Sequence, residues 1–147
     1  MPGELDALGA YYFMLNLGGA EAAGYFAECS GLSSSHEVVA HTASDEKGKS
    51  IVQKFPGQLV WSNITFKRGV DTNNQLWLWR KEIIDGKIKE SRKDGTIQVV
   101  DAMGAPVATY SFVRAWPCRY SSPGLHAGGN EALIEELEIA HEGFTRE

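Results

Sequence analysis

Four histidines, two cysteines and one Lys-Gly-Lys-Ser run are the residues of this 147-residue chain whose chemistry invites a catalytic or ligand-binding reading. Lys47-Gly48-Lys49-Ser50 ends like a phosphate-binding loop, in which backbone amides cradle a phosphate and a lysine neutralises it. The first glycine of that motif would stand at position 43, which is Ala43, so a solvated charged loop is the better reading. His36, His41, His126 and His141 would have to converge to hold a metal, and no pair has the His-x-x-x-His spacing that sets two ligands on one helical face. His36 and His41 have an odd separation, which puts them on opposite faces of any regular strand containing both. Cys29 or Cys118 could be a nucleophile only beside a base in a site that stabilises the thiolate. Neither neighbourhood supplies one, and buried small side chains are expected. Asn63-Ile64-Thr65 matches a glycosylation sequon but reads as strand chemistry. No catalytic residue, cofactor or metal is therefore expected.

Charge narrows the partners. Fourteen basic against nineteen acidic residues leave a formal charge of -5, the wrong sign for affinity that rests on neutralising phosphates. The basic group Lys87, Lys89, Arg92 and Lys93 is broken by Glu90 and Asp94 and follows a predicted helix end, where cations complement the dipole. It reads as a solvated turn. A composition of 43% hydrophobic and 22% charged residues predicts one compact domain over residues 1–147, large enough to bury a core without disulfides or metal. No apolar run approaches the roughly 18 residues of a membrane span. Glu4 and Asp6 stand where a secretory leader has basic residues, so synthesis in a reducing cytoplasm without a signal peptide is expected.

The elements that would position these residues are mostly strands. Glycine-punctuated short segments rich in β-branched and aromatic residues predict a mainly β chain. Tyr11, Phe13, Leu15 and Leu17 share one face of a strand over residues 11–17, ended by Gly18-Gly19. Residues 25–32, with Tyr25, Ala27 and Cys29 on one face, and residues 37–42 are the next strands, with a turn at Ser33-Ser34-Ser35 between them. Residues 43–55 open with a charged stretch and read as an exposed loop before Pro56-Gly57. Residues 59–68 return to alternation, with Val60, Ile64 and Phe66 facing one way. The one clear helix is predicted over residues 73–85, with Thr72 and Gln75 as a capping box, Leu76, Trp79 and Ile83 as its apolar stripe, and Asp85-Gly86 as its stop. Trp77 and Trp79 point in different directions on that helix, and a helix apolar on more than one side needs a second partner. Residues 96–102 and 107–116 form a hairpin joined at Ala102–Pro106, weakened at its end by Pro117. Residues 131–144 fit either a helix or a strand. As a strand they place Glu136 and Glu138 on a wet face and Leu133, Leu137 and Ile139 on a dry one.

Taken together, several segments resemble one family. They are Tyr11-Tyr12-Phe13, Glu28-Cys29-Ser30-Gly31-Leu32, Pro56-Gly57 leading to Asn63-Ile64-Thr65-Phe66-Lys67-Arg68-Gly69, Leu76-Trp77-Leu78-Trp79, Ala115-Trp116-Pro117 and Glu138-Ile139-Ala140-His141-Glu142-Gly143. Their order and spacing over nearly the whole chain are similar to those of the inner-tube proteins of contractile phage tails and phage-tail-like contractile injection systems. Cys29 stands where such sequences more often carry a small aliphatic residue. The resemblance implies a small antiparallel β-barrel or sandwich with a flanking helix, assembling into hexameric rings whose strands line a continuous lumen. On this basis residues 131–144 are assigned to a strand. The implied partners are further copies of the chain, a sheath protein, a baseplate hub or tube initiator, a tape-measure protein, a tube terminator, and cargo protein or DNA in the lumen. The implied final location is a phage tail or an extracellular or cell-associated injection particle. Asp45, Glu46, Lys47 and Lys49, together with Trp77 and Trp79, are the candidate contacts between subunits. Two other classes compete: a monomeric β-barrel binding a small apolar ligand, and a small hydrolase pairing Cys29 or Cys118 with His126 or His141.

Overall fold

The computed structural model describes residues 11–18, 22–70, 74–122 and 133–147. Contacts divide the chain into two units, one of residues 1–32 and 63–147 and one of residues 33–62. Gly19, Thr72, His126 and Glu131 lie outside the described residues, as does the side chain of Tyr25.

The larger unit contains strands β1 (Tyr11–Leu17), β2 (Ala22–Phe26), β3 (Glu28–Ser30), β6 (Ile64–Gly69), β7 (Lys93–Asp101), β8 (Pro106–Ser121), β9 (Ile134–Ala140) and β10 (Phe144–Arg146). The smaller unit contributes β4 (Ser34–Ser44) and β5 (Ser50–Trp61). The antiparallel order in the larger unit is β2-β1-β7-β8-β9-β6-β3, with β10 also on β8. Its two ends, β2 and β3, are consecutive pieces of one stretch bent at Ala27, so the sheet is turned back towards its own start. The amide of Ala27 donates to the carbonyl of Lys67 at 3.0 Å, and the rings of Phe26 and Phe66 lie 5.1 Å apart. This bend replaces the single strand expected over residues 25–32. It also changes parity: Phe26 is buried, Cys29 packs against the core, and Ala27 is exposed.

Alternation builds the core. Leu15, Phe26, Ile64, Phe66, Ile97, Phe112, Ala115, Leu137 and Ile139 fill it, joined by Leu76 and Trp79 of helix α1 (Gln75–Ile84). Each fully buried large side chain contributes about 1.5–3 kcal/mol. The expected stripe of α1 is therefore correct at Leu76 and Trp79. Gly86, at φ +85°, stops the helix. A second, one-turn helix α2 (Ile88–Ser91) forms where a solvated turn was expected. Ser91 is buried there, because its carbonyl accepts the Trp79 indole N–H at 2.7 Å.

Three strand boundaries differ from expectation for local reasons. The stretch read as one strand over residues 59–68 is divided at Ser62-Asn63, and Val60 is exposed while Ile64 and Phe66 are buried. Pro117 does not weaken β8. The register slips between Pro117 and Arg119, and at such a bulge the missing N–H costs no ladder bond. The segment 43–55 is not a loop. Residues 43–44 end β4, residues 50–55 open β5, and only a short turn joins them. By contrast, a strand is present in the C-terminal segment as β9, with Leu137 and Ile139 inward, although Leu133 lies before it and is exposed.

Candidate assembly surfaces

The residues with chemical potential are occupied locally. Burial pushes the Cys29 thiol up to about 12. Burial, reinforced by the charge of Glu138, also raises that of Cys118. Both shifts disfavour the thiolate that nucleophilic chemistry needs. Asn63 donates to Glu138 Oε2 at 2.8 Å, as a side chain spanning the gap before β6. At the phosphate-loop-like run, Asp45 Oδ1 accepts the amides of Lys47 and Lys49 at 2.9 and 2.8 Å. An internal carboxylate thus already takes the donors a phosphate would need. Among the described residues no three His, Cys, Asp or Glu side chains converge on a common point.

What the molecule offers instead is unsatisfied surface. The β4–β5 hairpin pairs Val39 with Phe55 and Ala43 with Ile51 on one face, and Val38 with Pro56 and Thr42 with Val52 on the other. Val38, Val39, Ile51, Val52, Phe55, Leu59 and Val60 are all exposed, Val38 by 64%. A two-stranded ribbon is marginal in water by itself, and apolar residues on both faces call for a covering on both. Its tip carries Asp45, Glu46, Lys47 and Lys49, of which Asp45 is half-buried and the other three are exposed. Asp45 is spent on the turn, which leaves Glu46, Lys47 and Lys49 as its available charges.

The sheet also has open edges. Beyond Ala115, β8 pairs with β9 alone, and β3 pairs with β6 alone, among the described residues. The strands β3-β6-β9-β8 thus form a four-stranded run with no further strand on either outer edge among the described residues. Open edges of this kind are templates for pairing with another chain.

The helix supplies a third surface, and here one sequence expectation fails. Trp79 is 2% exposed and hydrogen-bonded inside its own chain, so it is a core residue and not an inter-subunit contact. Its position in the stripe with Leu76 carried that signal already. Trp77 is 40% exposed and tilts against Tyr120 at 5.5 Å. Leu78, Ile84 and Ile88 extend the exposed apolar surface beyond it. The sequence reading missed these three, as well as the apolar residues of the hairpin.

Solved structures share this architecture. One chain in the extended-state sheath-tube complex of PVC, an extracellular contractile injection system, is 26% identical with a TM-score of 0.73, covering 92% of this chain and 87% of that one. A chain in the sheath/tube terminator structure of the same system is 25% identical with a TM-score of 0.70, covering 92% of each. Hcp1 from Flavobacterium johnsoniae, 16% identical with a TM-score of 0.54 over 92% of this chain and 94% of that one, shares the fold. No curated protein sequence matches. The sequence profile of the T4-like virus tail tube protein gp19 spans residues 9–145, nearly the full length, and the chain belongs to that tail tube family.

Proposed function

We propose that this tail tube protein assembles as hexameric rings that stack into the rigid inner tube of a contractile phage tail or injection particle. The observation that carries the proposal is the combination of two open edges on the four-stranded sheet with a hairpin apolar on both faces. Edge-to-edge pairing around a ring satisfies the first, and burial against neighbouring copies satisfies the second. The ring contact is heterologous, with different patches meeting. Stacking is an open repeat, so growth has no intrinsic limit and length must be set by a separate ruler, a tape-measure protein. A sheath and a terminator, named with the tube in the PVC structures, and a baseplate hub complete the partners. The role is mechanical: sheath contraction drives the tube through a target envelope, and the lumen conducts cargo protein or DNA. Backbone pairing between chains, repeated at every subunit, supplies the stiffness. This role uses no catalytic residue.

Negative-stain electron microscopy of concentrated protein, paired with size-exclusion chromatography, tests the assembly. Rings of six or hollow tubes are expected; a strict monomer that gains no rings when mixed with its hub protein overturns it. Lys47→Glu with Lys49→Glu should impair stacking, and an unchanged tube yield would remove the hairpin tip from the contact.

A further inference from the structure

The outer edge of β8 is not open along its whole length. From Trp116 to Ser121 this strand pairs with β9 on one side only, among the described residues. In an antiparallel ladder the backbone groups of successive residues point alternately towards and away from the partner strand. Arg80 Nη1, on α1, donates to the Pro117 carbonyl at 3.4 Å, so that carbonyl points away from β9 into the open side. Proline has no N–H, and the position therefore offers an incoming strand no donor and an acceptor already in use. The register then slips between Pro117 and Arg119, and a bulge bends an edge away from further pairing. Arg80 is half-buried on a helix anchored by Leu76 and Trp79, and no carboxylate pairs with it among the described residues. Proline, bulge and cation each discourage pairing at a strand edge, and here all three coincide. None of them reaches Arg119–Ser121, whose backbone has no partner outside β9 among the described residues.

The opposite edge matches what is left. Strand β3 is three residues long, bounded by the bend at Ala27 and by Gly31. That glycine takes φ +90° and lies so close to Asn63 that a Cβ would meet its carbonyl oxygen at 1.9 Å. Three residues on one edge thus meet three unblocked residues on the other. The run β3-β6-β9-β8 is antiparallel throughout, so identical copies around a ring bring β3 to β8 antiparallel. Cys29 and Tyr120 both pack against the core, whereas Glu28, Ser30 and Arg119 are exposed. The faces agree when Cys29 lies opposite Tyr120. A slip of one residue exchanges them. A slip of two towards Trp116 sets Ser30 on Pro117, and a slip of two the other way runs past the end of β8 at Ser121.

We infer that Arg80 and Pro117 are the register stop of the ring contact: they close β8 to any strand except a neighbouring copy's β3 seated on Arg119–Ser121, with Cys29 opposite Tyr120. The inference rests on the ring reading above.

The test uses chains carrying Cys29→Ala and Cys118→Ala, with cysteines introduced in pairs, oxidised by copper–phenanthroline as assembled tubes and read on non-reducing gels. Within one copy Glu28 and Ser121 lie three strand spacings apart, about 14 Å, too far for a disulfide; across the inferred contact they are opposite. Glu28→Cys with Ser121→Cys should give a ladder reaching six subunits. Glu28→Cys with Arg119→Cys, which reports the register slipped by two, should give at least about tenfold less linked product. Adding Arg80→Met and Pro117→Val should leave the melting of the isolated subunit unchanged and bring the two yields close to parity. Arg80→Lys alone, which keeps a donor over the carbonyl, should preserve the difference. Preferential linkage through the Glu28–Arg119 pair in chains that keep Arg80 and Pro117 would overturn the register. An unchanged ratio with Arg80→Met and Pro117→Val would remove the stop. Loss of the subunit's own fold with each of those changes made singly would make both residues part of the core structure. Each of these three results overturns the inference. Failure of the wild type itself to form rings would instead count against the ring reading.

Discussion

Arg68 and Glu135 are each 5% exposed, with the guanidinium Nε 2.5 Å from the carboxylate. Tyr120 donates to the other oxygen of Glu135 at 2.6 Å, and the Arg68 guanidinium sits 5.5 Å from the Phe26 ring centre. Taking two charges out of water costs several kcal/mol each, and each partner offsets the other only while both remain. Glu135→Gln or Arg68→Met alone should therefore lower the unfolding free energy by about 3–5 kcal/mol in a urea titration. Replacing both with Met and Leu should cost less than either single change. Burial, and then the charge of Glu135, lifts the Tyr120 phenol to about 12 from its ordinary 10.0. Because the folded value is raised, the neutral phenol's stabilisation is complete below pH 10 and is lost as the pH climbs towards 12. Ultraviolet titration should show a late phenolate signal near pH 12 that Tyr120→Phe removes. The buried pair was partly legible in the sequence. Arg68 has the parity of Ile64 and Phe66, and Glu135 that of Leu137 and Ile139. What spacing alone does not state is that β6 and β9 are neighbours, which is what turns two costly charges into a pair.

At the scale of elements, one turn design appears twice. Asp101 Oδ1 accepts the amides of Met103 and Ala105, both at 2.9 Å, as Asp45 does for Lys47 and Lys49, and Gly104 and Gly48 take φ of +83° and +79°. The shared Asp-x-x-Gly signature fixes a tight reversal wherever it falls between two extended runs. Asp101→Ala should cost the isolated subunit about 1 kcal/mol in thermal or urea unfolding, the worth of a lost local hydrogen-bonding cap. Asp45→Ala should leave the larger unit's transition unchanged, because that turn belongs to the other unit. The hairpin at Ala102–Pro106 was readable because its flanks alternate cleanly. The same signature at residues 45–48 was hidden by its charges and by Pro56-Gly57, which suggested an interruption. Pro56 in fact faces Val38 inside β5, beside the bulge at Glu37, where Gly57 is required because a Cβ there would meet the Glu37 carbonyl at 2.9 Å. Propensity says where a strand is unfavourable, but a bulge can make it favourable again.

For the whole molecule, the composition and the resemblance were enough to give the β architecture and the tube role, because both are spread over the entire chain. The contact surfaces were not, because exposure depends on which faces the folded chain leaves uncovered. Those surfaces can be separated by mutation. Val39→Ser with Phe55→Ser should leave the subunit's circular dichroism and melting unchanged, since neither side chain is buried in its own chain, while cutting tube yield at least tenfold by sedimentation. Such a variant keeps the sheet edges to which the proposed assembly assigns pairing within a ring. When it is co-expressed with the wild type, mixed rings should still form, and each one should be a dead end for the next. A small admixture should then shorten every particle in the cell, so that the defect behaves genetically as dominant and its severity scales with dose, although no single subunit has lost its fold.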